Sequence, residues 1–320
     1  LDTAPVSHWL IISGNAHALA RSCVRAGHTC DVIDPYGDCD TAALARRLVR
    51  ADTRDGSFDD DLPGRIAAMN GSWSGIVTGS GGEGINASTA GAGTVSITTA
   101  GLVTGGAGNG ITSSTTKGTN TIVNNGSVVG SASGIVATST TGSIAISGPG
   151  NVTANGGNGI DASATGTFLG ATTIKITDSG TVTATGTGVL AQIGLKGDIL
   201  VSGTGAVDAG ADGIKATTTW GNVTVAPAST VTGKGGSGII ATSASIGNIS
   251  VTTAGLVTGG TANGIEASTL LGTVNVVNNG GVTGNTNGII ASTTAGGITI
   301  SGPGNVIGTT ADGINATNLL

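Results

Sequence analysis

The sequence predicts a mainly β protein: a parallel β-helix solenoid of about ten 25-residue, three-strand coils, preceded by a short α/β segment with a Rossmann-like βαβ start. Three observations support this prediction. A Gly-Ile-x-Ala pattern recurs about every 25 residues, two further short alternating strands lie within each period, and the composition changes abruptly near residue 72. We therefore expect two parts, a truncated α/β segment with a linker over residues 1–72 and a β-helix repeat domain over residues 73–320.

The composition differs sharply between these two parts. The 320 residues include 60 Gly and only six aromatic residues, and 9% of them are charged, with a formal net charge of −6. All the Arg, Cys and His residues lie in residues 1–72, whereas all the Lys residues and most Gly lie in the remainder. The acidic balance argues against nucleic acid as a partner. Because no run of 18 apolar residues occurs, no membrane-spanning helix is predicted in this chain.

The repeat is most regular at the Ile of the Gly-Ile pattern. Ten residues occupy this position: Ile85, Ile111, Ile135, Ile160, Val189, Ile214, Ile239, Ile265, Ile289 and Ile314. Two shorter strands follow in most periods and alternate apolar with polar residues, as a strand with one buried face does. One is a V-x-I strand such as Val95 to Ile97, and the other is a V-T-G strand such as that at Val103. Three strands per period predict three faces.

A single coil of this kind cannot fold alone, because its backbone N–H and C=O groups have no partners and its apolar edge is exposed. Stacking in parallel register satisfies both needs, and it places equivalent Ile residues in an interior column. Burial of each Ile stabilises the fold by roughly 1.5–3 kcal/mol, which can replace an aromatic core. Glycine pairs such as Gly105-Gly106 and Gly156-Gly157 are expected to supply positive φ at the corners.

The repeat domain also matches itself at an offset of six coils. Residues 98–106 and 252–260 are both TTAGLVTGG, and residues 146–152 and 300–306 are both ISGPGNV. Identity at exposed as well as buried positions indicates block duplication. Growth by duplication is typical of an extended spacer rather than of a catalytic site.

This pattern over residues 74–320 resembles the β-helical passenger regions of bacterial autotransporters, which type V secretion carries outward through a C-terminal outer-membrane barrel. The resemblance implies a cell-surface or extracellular location, and an outer-membrane barrel as a partner in the full-length protein. It also implies an adhesin that contacts host or cell-surface glycans or proteins. No signal peptide is visible at the start of this chain, and no barrel follows the coils.

Residues 1–72 predict an α/β start. Residues 9–13 and 30–34 are expected to form strands, and Ala16 to Ala26 a helix with Leu19, Ala20 and Cys23 on one face. A second helix is expected from Ala42 to Val49, capped by Asp40 or Thr41, with Leu44 and Leu48 facing inward. Three Cys at this spacing match neither a zinc site nor a redox pair, so reduced thiols are expected.

Residues 8–50 resemble the N-terminal, pre-ATP-grasp part of ATP-grasp ligase-like proteins, through the sequence ISGNAHALARSCVRAGHTCDVIDPYGDCDT. The resemblance implies a remnant of such a protein, without its ATP-binding residues. Gly14 and Asp34 have the spacing of a dinucleotide fingerprint, but Ala16 and Leu19 replace two of its glycines, so no cofactor is predicted.

An alternative function is that of a β-helical polysaccharide lyase or hydrolase, which needs clustered carboxylates. Asp178, Asp198, Asp208 and Asp212 fall in consecutive coils, with Lys175, Lys196 and Lys215 nearby. Because these acids occupy different strands and corners, we expect them not to converge, and no catalytic, cofactor or metal site is predicted. A third interpretation, ice or crystal binding, needs a rank of Thr, and the outward positions of the V-x-I strands lack one. The favoured function is a structural surface-display and adhesion solenoid, and not an enzyme.

Overall fold

The computed structural model describes residues 8–12, 16–25, 27–34, 39–50, 53–54, 57–58, 77–79, 82–168 and 172–320. The Cα positions divide the chain into two compact units, one of Leu1–Val77 with Thr98–Leu102 and one of Thr78–Ile97 with Val103–Leu320. Each unit has its own core, and each is described by itself below.

The first unit contains a three-stranded parallel sheet with two short helices. Its elements are β1 (His8–Ile12), α1 (Ala16–Arg25), β2 (Thr29–Asp34), α2 (Cys39–Ala42) and β3 (Arg47–Arg50), followed by the antiparallel pair β4 (Thr53–Arg54) and β5 (Ser57–Phe58). β2 lies between β1 and β3 in the sheet. The βαβ start is thus confirmed. The core contains Ile11, Ala16, Ala20, Cys30 and Val32.

The predicted helix from Ala42 to Val49 is wrong. The helix begins earlier, at Cys39, and ends at Ala42, and the following segment becomes β3, in which Leu48 pairs with Val32 of β2. One helical turn adds few hydrogen bonds, whereas the open edge of β2 offers a complete ladder, so tertiary pairing overrides the local preference. Leu44 and Leu48 still pack against the core, one from the turn after the helix and one from the strand.

The second unit is the predicted solenoid, a parallel β-helix of about nine turns over residues 85–318. Each turn contains up to three strands, and equivalent strands of successive turns pair in parallel. We call the resulting layers the first-strand, second-strand and third-strand sheets. The first-strand sheet contains Ile85–Thr89, Ile111–Thr115, Ile135–Ser139, Ile160–Ala164, Val189–Ser202, Ile214–Trp220, Ile239–Ile246, Ile265–Leu271, Ile289–Ala295 and Ile314–Asn318.

The other two sheets complete the coil. The second-strand sheet contains Val95–Thr99, Asn120–Asn124, Ile144–Gly148, Thr172–Asp178, the later part of Val189–Ser202, Val223–Ala226, Ile249–Thr253, Val274–Asn278 and Ile298–Ser301. The third-strand sheet contains Val77–Gly79, Leu102–Gly105, Ser127–Gly130, Val152–Ala154, Val182–Ala184, Val207–Ala209, Val231–Gly233, Val257–Gly259, Val282–Gly284 and Val306–Gly308. The first two sheets are continuous because Val189–Ser202 extends around their shared corner.

The register confirms the repeat residue by residue. Ile111 pairs with Ile85 on one side and Ile135 on the other, and the column continues through Val189 to Ile314. From Ile111 to Ile289 every member of the column is fully buried, and the alanine two residues later, such as Ala137, forms the neighbouring buried column. This aliphatic stack is the solenoid core, and it contains no aromatic side chain among the described residues.

The expected positive φ is wrong for the two glycine pairs named from the sequence, although other corner glycines adopt it. Gly105, Gly106, Gly156 and Gly157 are not among the glycines with positive φ, which in the solenoid include Gly148, at 121°. Close approach explains Gly105 instead, because a Cβ there would overlap the backbone carbonyl of Asn109. The same reason applies to the Gly that precedes the first strand of each turn from Gly84 to Gly288. At Gly134, for example, a Cβ would overlap Val152 of the next turn.

Candidate functional site

The four aspartates that could have formed a catalytic cluster have separate environments. Asp178 ends a strand of the second-strand sheet and is fully buried, whereas Asp198 lies at the corner that leads into that sheet. Asp208 faces outward from the third-strand sheet, and its carboxylate oxygen lies 2.7 Å from the Lys234 ammonium. Asp212 lies in the corner before Ile214, with its carboxylate 4.0 Å from the Lys215 ammonium.

Asp198 and Asp212 belong to two ladders of side chains that cap backbone N–H groups at the corners. Asp198 accepts a hydrogen bond from the Asn222 backbone N–H at 2.7 Å, and Asn222 in turn accepts one from the Asn248 N–H at 2.9 Å. Asp212 accepts one from the Ser237 N–H at 2.9 Å. Each side chain satisfies a donor of the following turn, so these acids have the same structural task as the asparagines beside them.

The second of these ladders has a sequence signal that the search for carboxylates missed. A residue that can accept a hydrogen bond precedes each Gly-Ile pair, and Asn109, Asn158, Asn263 and Asn287 each accept from the N–H of the equivalent residue one turn later. Asn or Asp at this position can therefore be read as a corner cap.

Asp178 differs from the other three because it is fully buried. Neither carboxylate oxygen has a hydrogen-bond partner of good geometry. Burial raises the pKa of Asp178 to about 7, and the backbone N–H of Gly180 lowers it by a smaller amount. A carboxyl group of this kind is protonated at mildly acidic pH, which makes it a titratable group inside the core.

Two features of the first unit bear on cofactor binding. Gly14, on which the dinucleotide fingerprint depends, lies outside the described residues. Cys23, Cys30 and Cys39 are free thiols, and burial raises the pKa of Cys30 to about 11, which suppresses the reactive thiolate. Within the described residues no three His, Cys, Asp or Glu side chains are grouped so that they could hold a metal ion. In that part of the chain no helix has the length and apolar character to cross a membrane.

A rank of side chains that all carry hydroxyl groups, except Gln192, lies on the outward side of the first-strand sheet, a face that sequence reasoning did not search. The rank contains Ser88, Ser114, Thr138, Ser163, Gln192, Thr217, Thr242, Ser268, Ser292 and Thr317, which register places in one column. The outward positions of the second-strand sheet include Ala145, Lys175 and Leu200 and form no such rank, as predicted. Searching every alternating strand for hydroxyls would have found it.

The central part of this rank lines a groove of about 710 Å³. One side of the groove is the rank itself from Ser114 to Thr242, and the other is a parallel column that includes Thr140, Thr165 and Thr219. Because equivalent strands repeat about every 4.8 Å, the groove presents polar groups at that interval along the solenoid. We refer to it as the hydroxyl groove.

Two aromatic side chains meet at the corner beside the hydroxyl groove. Phe168 and Trp220 pack edge to face, with ring centroids 5.0 Å apart and an angle of 62° between the rings. They are 54% and 38% exposed. Trp220 lies at the corner, and it contacts a residue 52 positions away in the sequence. Trp73 lies outside the described residues.

The chain was compared with known protein families, with curated proteins and with solved structures, and no match was found in any of the three comparisons.

Proposed function

We propose that residues 73–320 form a structural display and adhesion solenoid that presents a repetitive surface outside the cell, without chemistry of its own. One observation carries the proposal: the column from Ile85 to Ile314 runs through ten strands in unbroken parallel register. An uninterrupted stack can be lengthened one coil at a time without disturbing its neighbours. The six-coil duplication in the sequence is growth of this kind.

The corner ladders support the same function. Side chains at the corners accept hydrogen bonds from backbone N–H groups of the next turn. They include Asp198 and Asp212, two of the four aspartates considered as catalytic candidates. An extended surface needs this uniform satisfaction of backbone groups in every coil, because a gap in one coil would weaken both of its neighbours.

In the proposed arrangement the coils resemble an autotransporter passenger region, and a C-terminal outer-membrane barrel supplied by the full-length protein anchors them at the cell surface. The partners are host or cell-surface glycans or proteins. The chain is then exported, and type V secretion provides the route. Nine steps at about 4.8 Å give a rise of roughly 45 Å along the solenoid axis, which separates a terminal ligand from the membrane.

Surface presentation tests this function directly. The chain is placed between an export signal and an outer-membrane barrel in a Gram-negative host, with an epitope inserted after Gly106. We expect antibody labelling of intact cells, a protease-resistant coil fragment and increased adhesion to glycan-coated or host-cell surfaces. Labelled cells that adhere no better than cells displaying the barrel alone would contradict the adhesion function.

The polysaccharide-lyase alternative gives a separate result. Release of new chain ends from an acidic polysaccharide by the purified protein, abolished in Asp198→Ala and in Asp198→Asn alike, would replace a display function with a catalytic one. Loss of activity in the Ala variant alone would not, because only that variant removes the corner cap.

A further inference from the structure

We propose that the hydroxyl groove and the adjoining Phe168–Trp220 pair bind an extended, neutral polysaccharide chain. The proposal deepens the adhesion function and rests on it for its biological setting. The binding itself is a property of the purified chain and is tested separately.

The groove has unused hydrogen-bonding capacity. The side chains of Ser114, Gln192 and Thr217 line it, and within the described part of the chain none of the three makes a side-chain hydrogen bond. Each is partly exposed, so a ligand can reach it. A hydroxyl donates and accepts, and the Gln amide offers both kinds of group, which suits the hydroxyls of a sugar.

The spacing of these groups favours a polymer over a small molecule. The rank continues through neighbouring turns at about 4.8 Å per turn, so equivalent polar groups recur in a straight line. A linear chain with a hydroxyl pattern of its own can make several weak contacts at once, and linked contacts raise the overall affinity above that of any one contact.

The charge of the groove favours a neutral ligand. Its lining contains hydroxyl, amide, methyl and backbone groups and no ionisable side chain. Two charged positions on the same face have partners of their own. Asp161 accepts hydrogen bonds from Asn158 and Ser163, and Lys215 lies beside Asp212. Lys196, in register with Trp220, lies at the corner and outside the lining. An acidic polysaccharide would find no free cation in the lining to compensate its desolvated charge.

The aromatic pair is a second and independent indication. Phe168 and Trp220 are the sole aromatic residues in residues 74–320, and the fold brings both to one exposed place. Thr218 and Thr219, which directly precede Trp220, line the groove. Binding sites commonly combine aromatic surface with a few directed polar groups, and the apolar C–H face of a sugar ring packs on such a surface.

An apolar edge extends from this pair along the groove. Register places Ile246 and then Leu271 in the turns after Trp220, and both side chains are exposed, at 57% and 42%. The edge therefore follows the same axis as the hydroxyl rank. A ligand that contacts both must be long, with one polar and one apolar side, as an extended glycan chain is.

Ice is a less suitable ligand for this face. A crystal lattice calls for a uniform array of free hydroxyls, whereas Gln192 interrupts the rank and Thr242 and Ser268 are already within 3.2 Å of each other.

Affinity electrophoresis and calorimetry of the full chain test the proposal. The ligands are three soluble neutral polysaccharides, namely galactomannan, xyloglucan and a mixed-linkage β-glucan, and polygalacturonate is the acidic comparison. We expect binding to at least one neutral polymer and a change in tryptophan fluorescence. Trp220→Ala should weaken this binding by about tenfold or more, Gln192→Ala by a few-fold, and Trp220→Phe should retain part of it.

Thr224→Ala is the matched control, because Thr224 faces outward from the second-strand sheet, and it should bind as the unaltered chain does. Circular dichroism must show that all variants remain folded. The proposal is overturned if no neutral polysaccharide binds, if binding is unchanged in both Trp220→Ala and Gln192→Ala, or if only polygalacturonate binds. Inhibition of ice growth or capture of a protein that needs Trp220, without glycan binding, would also overturn it. None of these outcomes alters surface labelling of the displayed chain, so the display function is judged independently.

Discussion

Each unit contains a fully buried aspartate, and the two carboxyl groups differ in whether a cation lies beside them. Asp31 in β2 of the first unit lies against the Arg47 guanidinium, and Arg46 is 3.6 Å away. Asp178 in the solenoid has no cation beside it, and burial raises its pKa to about 7. The first unit pairs its buried acid with an arginine, whereas the solenoid leaves its buried acid without a cation, so that this carboxyl group is protonated over part of the pH range.

The difference follows from composition. All seven Arg lie within residues 1–72, and the solenoid has only five Lys, none of which pairs with Asp178 among the described residues. In two other turns the buried polar side chain at the end of the second strand is an amide. Asn124, two turns before Asp178 in the same column, donates to the Gly150 carbonyl at 2.9 Å, and Asn278 donates to the Gly304 carbonyl at the same distance. A carboxylate cannot make that bond, because it has no proton to donate.

The largest effect is expected from Asp178→Asn. An Asp pKa raised from 3.8 to about 7 lowers stability progressively as pH rises between these values, and the penalty is constant above them. At pH 8 the penalty is of the order of 4 kcal/mol, and at pH 3.5 it is close to zero. The variant should therefore have a higher urea midpoint than the unaltered chain at pH 8 and a similar one at pH 3.5.

Asp212→Asn is the control for this experiment, because its amide oxygen can still cap the Ser237 N–H and its side chain is not fully buried. It should change the midpoint little at either pH. Equal midpoints for Asp178→Asn and the unaltered chain at pH 8 would mean that the Asp178 carboxylate is satisfied and that the contrast with Asp31 is false.

A smaller loss is expected when Asp31 is deprived of its partner. Arg47→Met removes the guanidinium while keeping much of the apolar stem, and the first unit should become more sensitive to protease. The loss is limited because Arg46 remains close to the same carboxylate. Arg25→Met, at the end of α1, serves as the control, and pulse proteolysis measures both. If the two variants are cleaved at the same rate as the unaltered chain, pairing does not stabilise the buried acid of the first unit.

The smallest effect concerns Asp198, an exposed acid that caps a backbone N–H of the next turn. Asp198→Ala leaves the Asn222 N–H without its acceptor and should lower stability by about 1 kcal/mol, whereas Asp198→Asn preserves the acceptor and should be nearly neutral. Chemical denaturation at pH 7 separates the two. Equal losses in both variants would show that the negative charge, and not the hydrogen bond, is what the corner requires.

The sequence by itself determined the solenoid, because the columns depend only on periodicity. Once Ile85 and its nine equivalents are aligned, alternation decides which side chains enter the core, and the observed register agrees at every step. The βαβ start was equally readable from its alternating strands and helical face.

Tertiary structure alone decided the features that depend on what lies one turn away. Residues 47–50 form a strand because they can pair with the edge of β2. Glycine is needed at position 105 because a Cβ there would overlap a neighbouring backbone carbonyl, and not because its φ is positive. Three further features depend on residues that are far apart in the sequence. They are the burial of Asp178, the hydrogen bond by which Asp198 caps the next turn, and the contact of Phe168 with Trp220. Periodicity fixes which face a residue occupies, but contacts between turns fix its chemistry, because hydrogen bonds and desolvation act between neighbours in space.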